Sequence, residues 1–159
     1  MIKYDKIDAL NQVAEFHKTF HHPVLDSPGI PSEARCKLRV SLIAEELHEL
    51  QDSIVKQDII QIADALCDIQ YVLSGAVLEF GLAGKFVELF NEVQRSNMSK
   101  ACKTEADAKS TVAYYKEKEN IDCYYSNSDE VFLVYRTSDK KTLKSINYSP
   151  ADLKTILDY

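Results

Sequence analysis

Leu42-Ile43-Ala44-Glu45-Glu46-Leu47-His48-Glu49-Leu50 places three carboxylates inside a stretch whose apolar residues recur at helical spacing. At about 100° per residue, Ile43, Leu47, Leu50 and Ile54 form one stripe, with Glu46 roughly 60° and Glu49 roughly 120° from its centre. Glu45 lies further round, toward solvent. A second stretch, Ile62 to Val72, carries Asp64 and Asp68 in the same manner. Its apolar residues, Ile62, Leu66, Ile69 and Leu73 on one side with Ile60, Cys67 and Tyr71 on the other, surround the helix and predict that it is buried.

Glu46 and Glu49 are spaced i, i+3 and Asp64 and Asp68 i, i+4, so each pair shares a helix face. The two helices are predicted over 32–56 and 58–80, with Ser32 and Asp58 as N-terminal caps. So short a connection makes them antiparallel neighbours. Counted back from the turn near Lys56-Gln57, Glu49 and Asp64 are about level, and Glu46 and Asp68 lie one turn deeper. No Lys or Arg falls between Arg39 and Lys56 to neutralise the acids. A four-carboxylate cage of this kind suits a hard, oxygen-seeking ion such as Mg²⁺ or Mn²⁺.

The rest of the chain supplies a frame. Residues 5–20 form a first amphipathic helix with Phe16 and Phe20 in its inward stripe, ending at His21-His22-Pro23, and 23–31 is a loop. Gly81 ends the third helix, and a fourth follows over 85–96. Thr104 and Asp107 are spaced to cap a short fifth helix over 105–119. Beyond residue 120 the period changes to that of strands at 122–126 and 131–137, with a turn at Asn127-Ser128-Asp129. Ser149-Pro150 opens a final helix. The fold class is mainly α: an antiparallel four-helix core, then a small C-terminal β-hairpin and terminal helix. The expected division is an all-α domain over 1–120 with 121–159 appended.

The chain has 159 residues, 45% hydrophobic and 28% charged, with a net charge of −6, which fits a globular domain and argues against a surface for nucleic-acid polymers. Its four cysteines have no CxxC spacing, so neither zinc nor a redox pair is indicated. His17 and His21, at i, i+4, have no third ligand in fixed relation, so helix-end and surface roles are expected. No apolar run approaches the roughly 20 residues of a membrane span, and the opening residues lack signal-peptide character. A cytoplasmic protein is expected.

With these residues in view a family resemblance emerges. Glu45-Glu46-x-x-Glu49, its lead-in Leu38-Arg39-x-x-Leu42-Ile43, and the acidic element ending at Asp64 and Asp68 resemble the all-α nucleoside triphosphate pyrophosphohydrolases of the MazG, dimeric dUTPase and phosphoribosyl-ATP pyrophosphatase superfamily. Glu92-Val93-Gln94-Arg95-Ser96-Asn97-Met98-Ser99-Lys100 resembles the third motif of a MazG-like subgroup. The likeness spans about residues 5–105, and Tyr148 to Leu153 resembles the subgroup's closing region.

The resemblance implies Mg²⁺-dependent hydrolysis of a nucleoside triphosphate to the monophosphate and pyrophosphate. Glu46, Glu49, Asp64 and Asp68 are then metal ligands, with Glu45 a further candidate, and Glu46 and Glu49 are the candidates to orient or deprotonate water. Arg95 and Lys100 would hold phosphate oxygens, and Asn97 the sugar, a phosphate or a metal-bound water. Arg39 would be either a substrate contact or an ion-pair partner. A homo-oligomer, dimer or tetramer, is expected, because the nearly all-round apolar helix is best buried against a second copy. One departure stands out: the superfamily's second acidic element is Glu-x-x-Asp, and three residues before Asp64 this chain has Gln61. Two alternatives follow, hydrolysis of phosphoribosyl-ATP and a catalytically silent module that binds nucleotide or protein.

Overall fold

The computed structural model describes residues 3–158, which divide into two compact units, one up to Val87 and one from Glu88. The first holds α1 (Ala9–Thr19), α2 (Glu33–Lys56) and α3 (Ile59–Glu79), followed by a 3₁₀ turn at Ala83–Lys85. The fourth helix, α4 (Phe86–Met98), crosses from one unit into the other.

The turn that decides the first unit is two residues long. Gln57 closes α2 in the left-handed conformation at φ 56°, and the Asp58 side chain then accepts the Ile60 and Gln61 amides to start α3. This satisfies two of the amides a helix start leaves unpaired, and it sends α3 back along α2. Helix α1 packs on α3 as well. At its far end α3 stops at Gly81, whose φ of 66° suits glycine, and a Cβ there would lie 1.9 Å from the Ser27 carbonyl oxygen. The loop after α1 runs alongside, its Leu25 and Gly29 amides donating to the Leu78 and Phe80 carbonyls.

Burial in this unit departs from the sequence reading. Burial is extensive only in the last turns of α3, from Ser74 to Glu79; before them one stripe is shielded, with Ala65 buried and Ile62, Ile69 and Val72 half-buried, whereas Ile60 and Leu66 are 74% and 51% exposed and Asp64 and Asp68 are open to solvent. The apolar circumference of α3 is therefore covered on one side only over its first four turns. Leu47 and Ile54 of α2 are exposed too, and Phe16 and Phe20, expected in the core, remain accessible.

In the second unit α5 (Glu105–Lys118) begins with the expected capping box between Thr104 and Asp107. It packs on the hairpin of β1 (Cys123–Ser128) and β2 (Val131–Arg136) around a core of Cys102, Ala108, Cys123, Val134 and Leu143. Residue 120, beyond which the hairpin and terminal helix are expected as an appendage of the same domain, lies inside this unit, where α5 and the hairpin share one core. The hairpin turn is Asp129-Glu130, with Asp129 at φ 53°, so Asn127 and Ser128 stay in the ladder, the latter paired with Val131. The last helix, α6 (Leu153–Leu157), starts later than Ser149-Pro150 would suggest, capped by Asp152 on the Thr155 amide. Ser149 and Pro150 are held instead by hydrogen bonds to Ser99 and Arg95.

Candidate active site

The α2–α3 turn places the acids of both helices along one face. Glu46 is the most shielded of them, while Glu45, Glu49, Asp64 and Asp68 are exposed. Burial raises the proton affinity of Glu46, and the charges of Asp68, Glu49, Glu45 and Asp64 raise it further, in that order. Acids from both helices thus act on one carboxyl group. None of the five side chains has a hydrogen bond or ion pair to another described residue.

Among the described residues, no three His, Cys, Asp or Glu side chains converge tightly enough to hold an ion as they stand. Uncompensated carboxylates repel one another and turn to water, so the cage is open rather than closed. The donor set nevertheless fits Mg²⁺: it is all oxygen, it carries excess negative charge, and it has no protein cation to satisfy it. Gln61 stands in the first turn of α3, where its amide N–H is committed to Asp58.

Deeper in the same helix pair lies a buried cluster that the sequence reading did not identify. Glu79 is 1% exposed, and it accepts from Arg35 Nε at 3.0 Å and from the Nη2 atoms of both Arg35 and Arg39. Burial pushes the Glu79 carboxyl up, but the two guanidinium groups outweigh it and hold the group below the usual carboxylate range. Arg39 is in an ion pair with Glu79, one of the two roles expected for it. His17 is 2% exposed rather than at the surface. The tautomer that satisfies both its contacts donates from Nδ1 to the Pro23 carbonyl at 2.9 Å and accepts Arg39 Nη2 at Nε2, 3.3 Å away. Burial lowers its proton affinity. Gly75 makes room for this cluster, since a Cβ would stand 2.6 Å from Arg39 Nη1. The counting that sets Glu46 opposite Asp68 also sets Arg35 opposite Glu79, so the signal was available in the sequence.

Beside the cluster is a cavity of about 380 Å³ walled by Phe16, His22, Arg39, Leu42, Tyr71 and Val72 among others. Phe16 and His22 stack at 5.7 Å, and Tyr71 meets Phe16 edge-on at 5.6 Å. Arg39 Nε is buried without a hydrogen-bond partner among the described residues. Leu42 is one turn before Glu46 and Val72 one turn after Asp68, so the cavity wall continues into the acidic face.

The third-motif residues belong to the second unit, and it separates them. Lys100 Nζ donates to Asn97 Oδ1 at 2.8 Å, which brings those two together. Arg95 lies about 200° around α4 from Asn97, with Nε and Nη2 on Glu92 at 2.7 and 2.8 Å and Nη2 also on the Pro150 carbonyl at 3.0 Å. No helix of the described residues is long and apolar enough to cross a membrane.

Comparison with known proteins places these features. A family model described as phosphoribosyl-ATP pyrophosphohydrolase matches residues 13–97, taking in all five acids, the buried cluster, Arg95 and Asn97.

 

The match leaves Lys100 and the hairpin outside it. A curated relative, "Uncharacterized protein L479" of Acanthamoeba polyphaga mimivirus, is 34% identical over 86 residues, 49% of this chain. The aligned part is 33% of that protein, so the chain spans about a third of its relative's length. The matched region holds the paired acidic helices and more than half of the chain, and the chain belongs to the phosphoribosyl-ATP pyrophosphohydrolase family, within the MazG-like nucleoside triphosphate pyrophosphohydrolase superfamily.

Proposed function

We propose that this protein hydrolyses a nucleoside triphosphate to the monophosphate and pyrophosphate with Mg²⁺, with Mn²⁺ as a substitute, in the cleansing of nucleotide pools. The observation that carries the reading is the set of unpaired carboxylates on facing turns of α2 and α3, four of which raise the proton affinity of the fifth, Glu46. Glu46, Glu49, Asp64 and Asp68 would hold the ion, with Glu45 at the margin. Bound Mg²⁺ supplies neutralisation of phosphate charge and alignment of the reacting groups. Glu46, the acid least willing to stay ionised, is the best proton acceptor for the attacking water, with Glu49 beside it.

The cavity next to the acids has aromatic walls, from Phe16, His22 and Tyr71, that suit a base. Asn97 and Lys100 keep free N–H groups and suit phosphate oxygens. The uncovered apolar residues of α2 and α3 support a homo-oligomer, because exposed patches of this kind mark association surfaces.

The experiment is incubation of pure protein with Mg²⁺ and a panel of canonical and noncanonical nucleoside triphosphates, together with phosphoribosyl-ATP, with chromatographic assay of monophosphate and pyrophosphate. Turnover of one or more triphosphates is expected. Activity on phosphoribosyl-ATP alone would favour the second reading, which the family match supports. No turnover of any compound would leave a silent binding module, the reading that Gln61 favours.

A further inference from the structure

One face of α4 is fully occupied by a later part of the chain. Glu92, Arg95, Ser96 and Ser99 recur at i, i+3, i+4 and i+7 and so form a single row. Each meets the segment 145–152: Glu92 accepts the Asp152 amide at 2.8 Å, Arg95 donates to the Pro150 carbonyl, Ser96 pairs with the Tyr148 hydroxyl at 3.0 Å, and Ser99 accepts the Ser149 amide at 2.9 Å. At the end of the helix the Ser145 amide donates to the Lys100 carbonyl at 3.1 Å.

Arg95 binds phosphate best through the paired N–H groups of its guanidinium fork. In this protein that edge is spent: Nε and Nη2 grip the Glu92 carboxylate, which the contact holds down at about 2. Asn97 and Lys100 lie away from the row, joined to each other, and retain N–H groups with no acceptor among the described residues.

We propose that residues 145–152 are a strap that fixes the end of α4, and that Arg95 and Glu92 are positioning residues acting through the Asn97–Lys100 pair rather than phosphate ligands. The inference rests on the reading that this pair meets substrate phosphate. It gives the C-terminal segment a task in the reaction: the strap holds the backbone from which Lys100 projects, so loosening it disperses the phosphate donors.

The test is a double-mutant cycle on the full chain, Arg95→Gln with Lys100→Ala, read by binding of magnesium pyrophosphate in calorimetry and by amide hydrogen exchange. Arg95→Gln is expected to speed exchange at the Ser149 and Asp152 amides and to weaken pyrophosphate binding, each roughly tenfold. In the Lys100→Ala background it should weaken binding less than about twofold. Arg95→Lys keeps the charge but not the fork, and should rescue neither readout. If Arg95→Gln does not fold, Glu92→Gln takes its place in the same cycle. Additive losses, rescue by Lys, or unchanged exchange would overturn the positioning role. Those results leave the enzymatic reading intact if the wild type still turns over a triphosphate, whereas a wild type that binds no pyrophosphate overturns both.

Discussion

Replacing Glu79 by Gln should be among the most damaging single changes in the first unit. The substitution keeps the shape of the side chain but removes the only carboxylate among the described residues that pairs with Arg35 and Arg39. The Arg35 side chain is 27% exposed and can be rehydrated, whereas that of Arg39 is 8% exposed and would be left charged in a poorly solvated site. Breaking a buried pair from one side costs about 3–5 kcal/mol, and the exposure of Arg35 argues for the lower end, about 3 kcal/mol. That is a large fraction of the roughly 5–15 kcal/mol by which domains are stable. Urea denaturation followed by circular dichroism measures it as a lower midpoint with the slope unchanged. Because the folded Glu79 is held below its unfolded proton affinity, its contribution is present above the unfolded value of about 4.3 and is lost as pH falls through the folded value. A loss under about 1 kcal/mol would refute the claim that this pair is buried and uncompensated without Glu79.

Other consequences follow from the same geometry. Gly81→Ala forces a side chain into a positive-φ position against the Ser27 backbone and should cost more than about 1 kcal/mol in the same assay, whereas an unchanged midpoint would contradict the close approach. His17 has a lowered proton affinity when folded, so the unfolded chain binds more protons below about pH 6.5 and stability should fall as pH drops from there toward the folded value. His17→Gln should flatten that part of the stability profile, measured by thermal melts at a series of pH values. Mn²⁺ should raise the melting temperature of the wild type but not of Glu46→Gln, while the metal-free variant should be no less stable than wild type because a like charge has been removed. Equal metal shifts in both proteins would remove Glu46 from the ion site.

The local parts of this fold were legible in the sequence because their causes are local. Asp58 and the Thr104–Asp107 pair announce helix starts through side chains that reach only two or three residues. The short connection between α2 and α3 fixed which acids face one another. The hairpin turn was misplaced because Asn127 and Ser128 have turn-forming side chains yet remain in register with Phe132 and Val131, and Asp129 takes the left-handed position. The start of α6 depends on Arg95 and Ser99, remote in sequence, which hold Pro150 and Ser149 outside the helix. Burial of α3 is only partial, since an all-round apolar helix states only that something must cover it, and in one chain its first turns are shielded along one stripe while Ile60 and Leu66 stay open. Glu79 is absent from the sequence reading, although antiparallel counting places it opposite Arg35.

The most direct test of the acidic site compares wild type with Glu46→Gln and Asp68→Asn for Mg²⁺-dependent release of pyrophosphate from the best triphosphate of the panel. If the facing carboxylates are the reaction centre, both variants should remain folded and lose at least about a hundredfold in turnover. Wild-type rates in either variant would contradict the assignment.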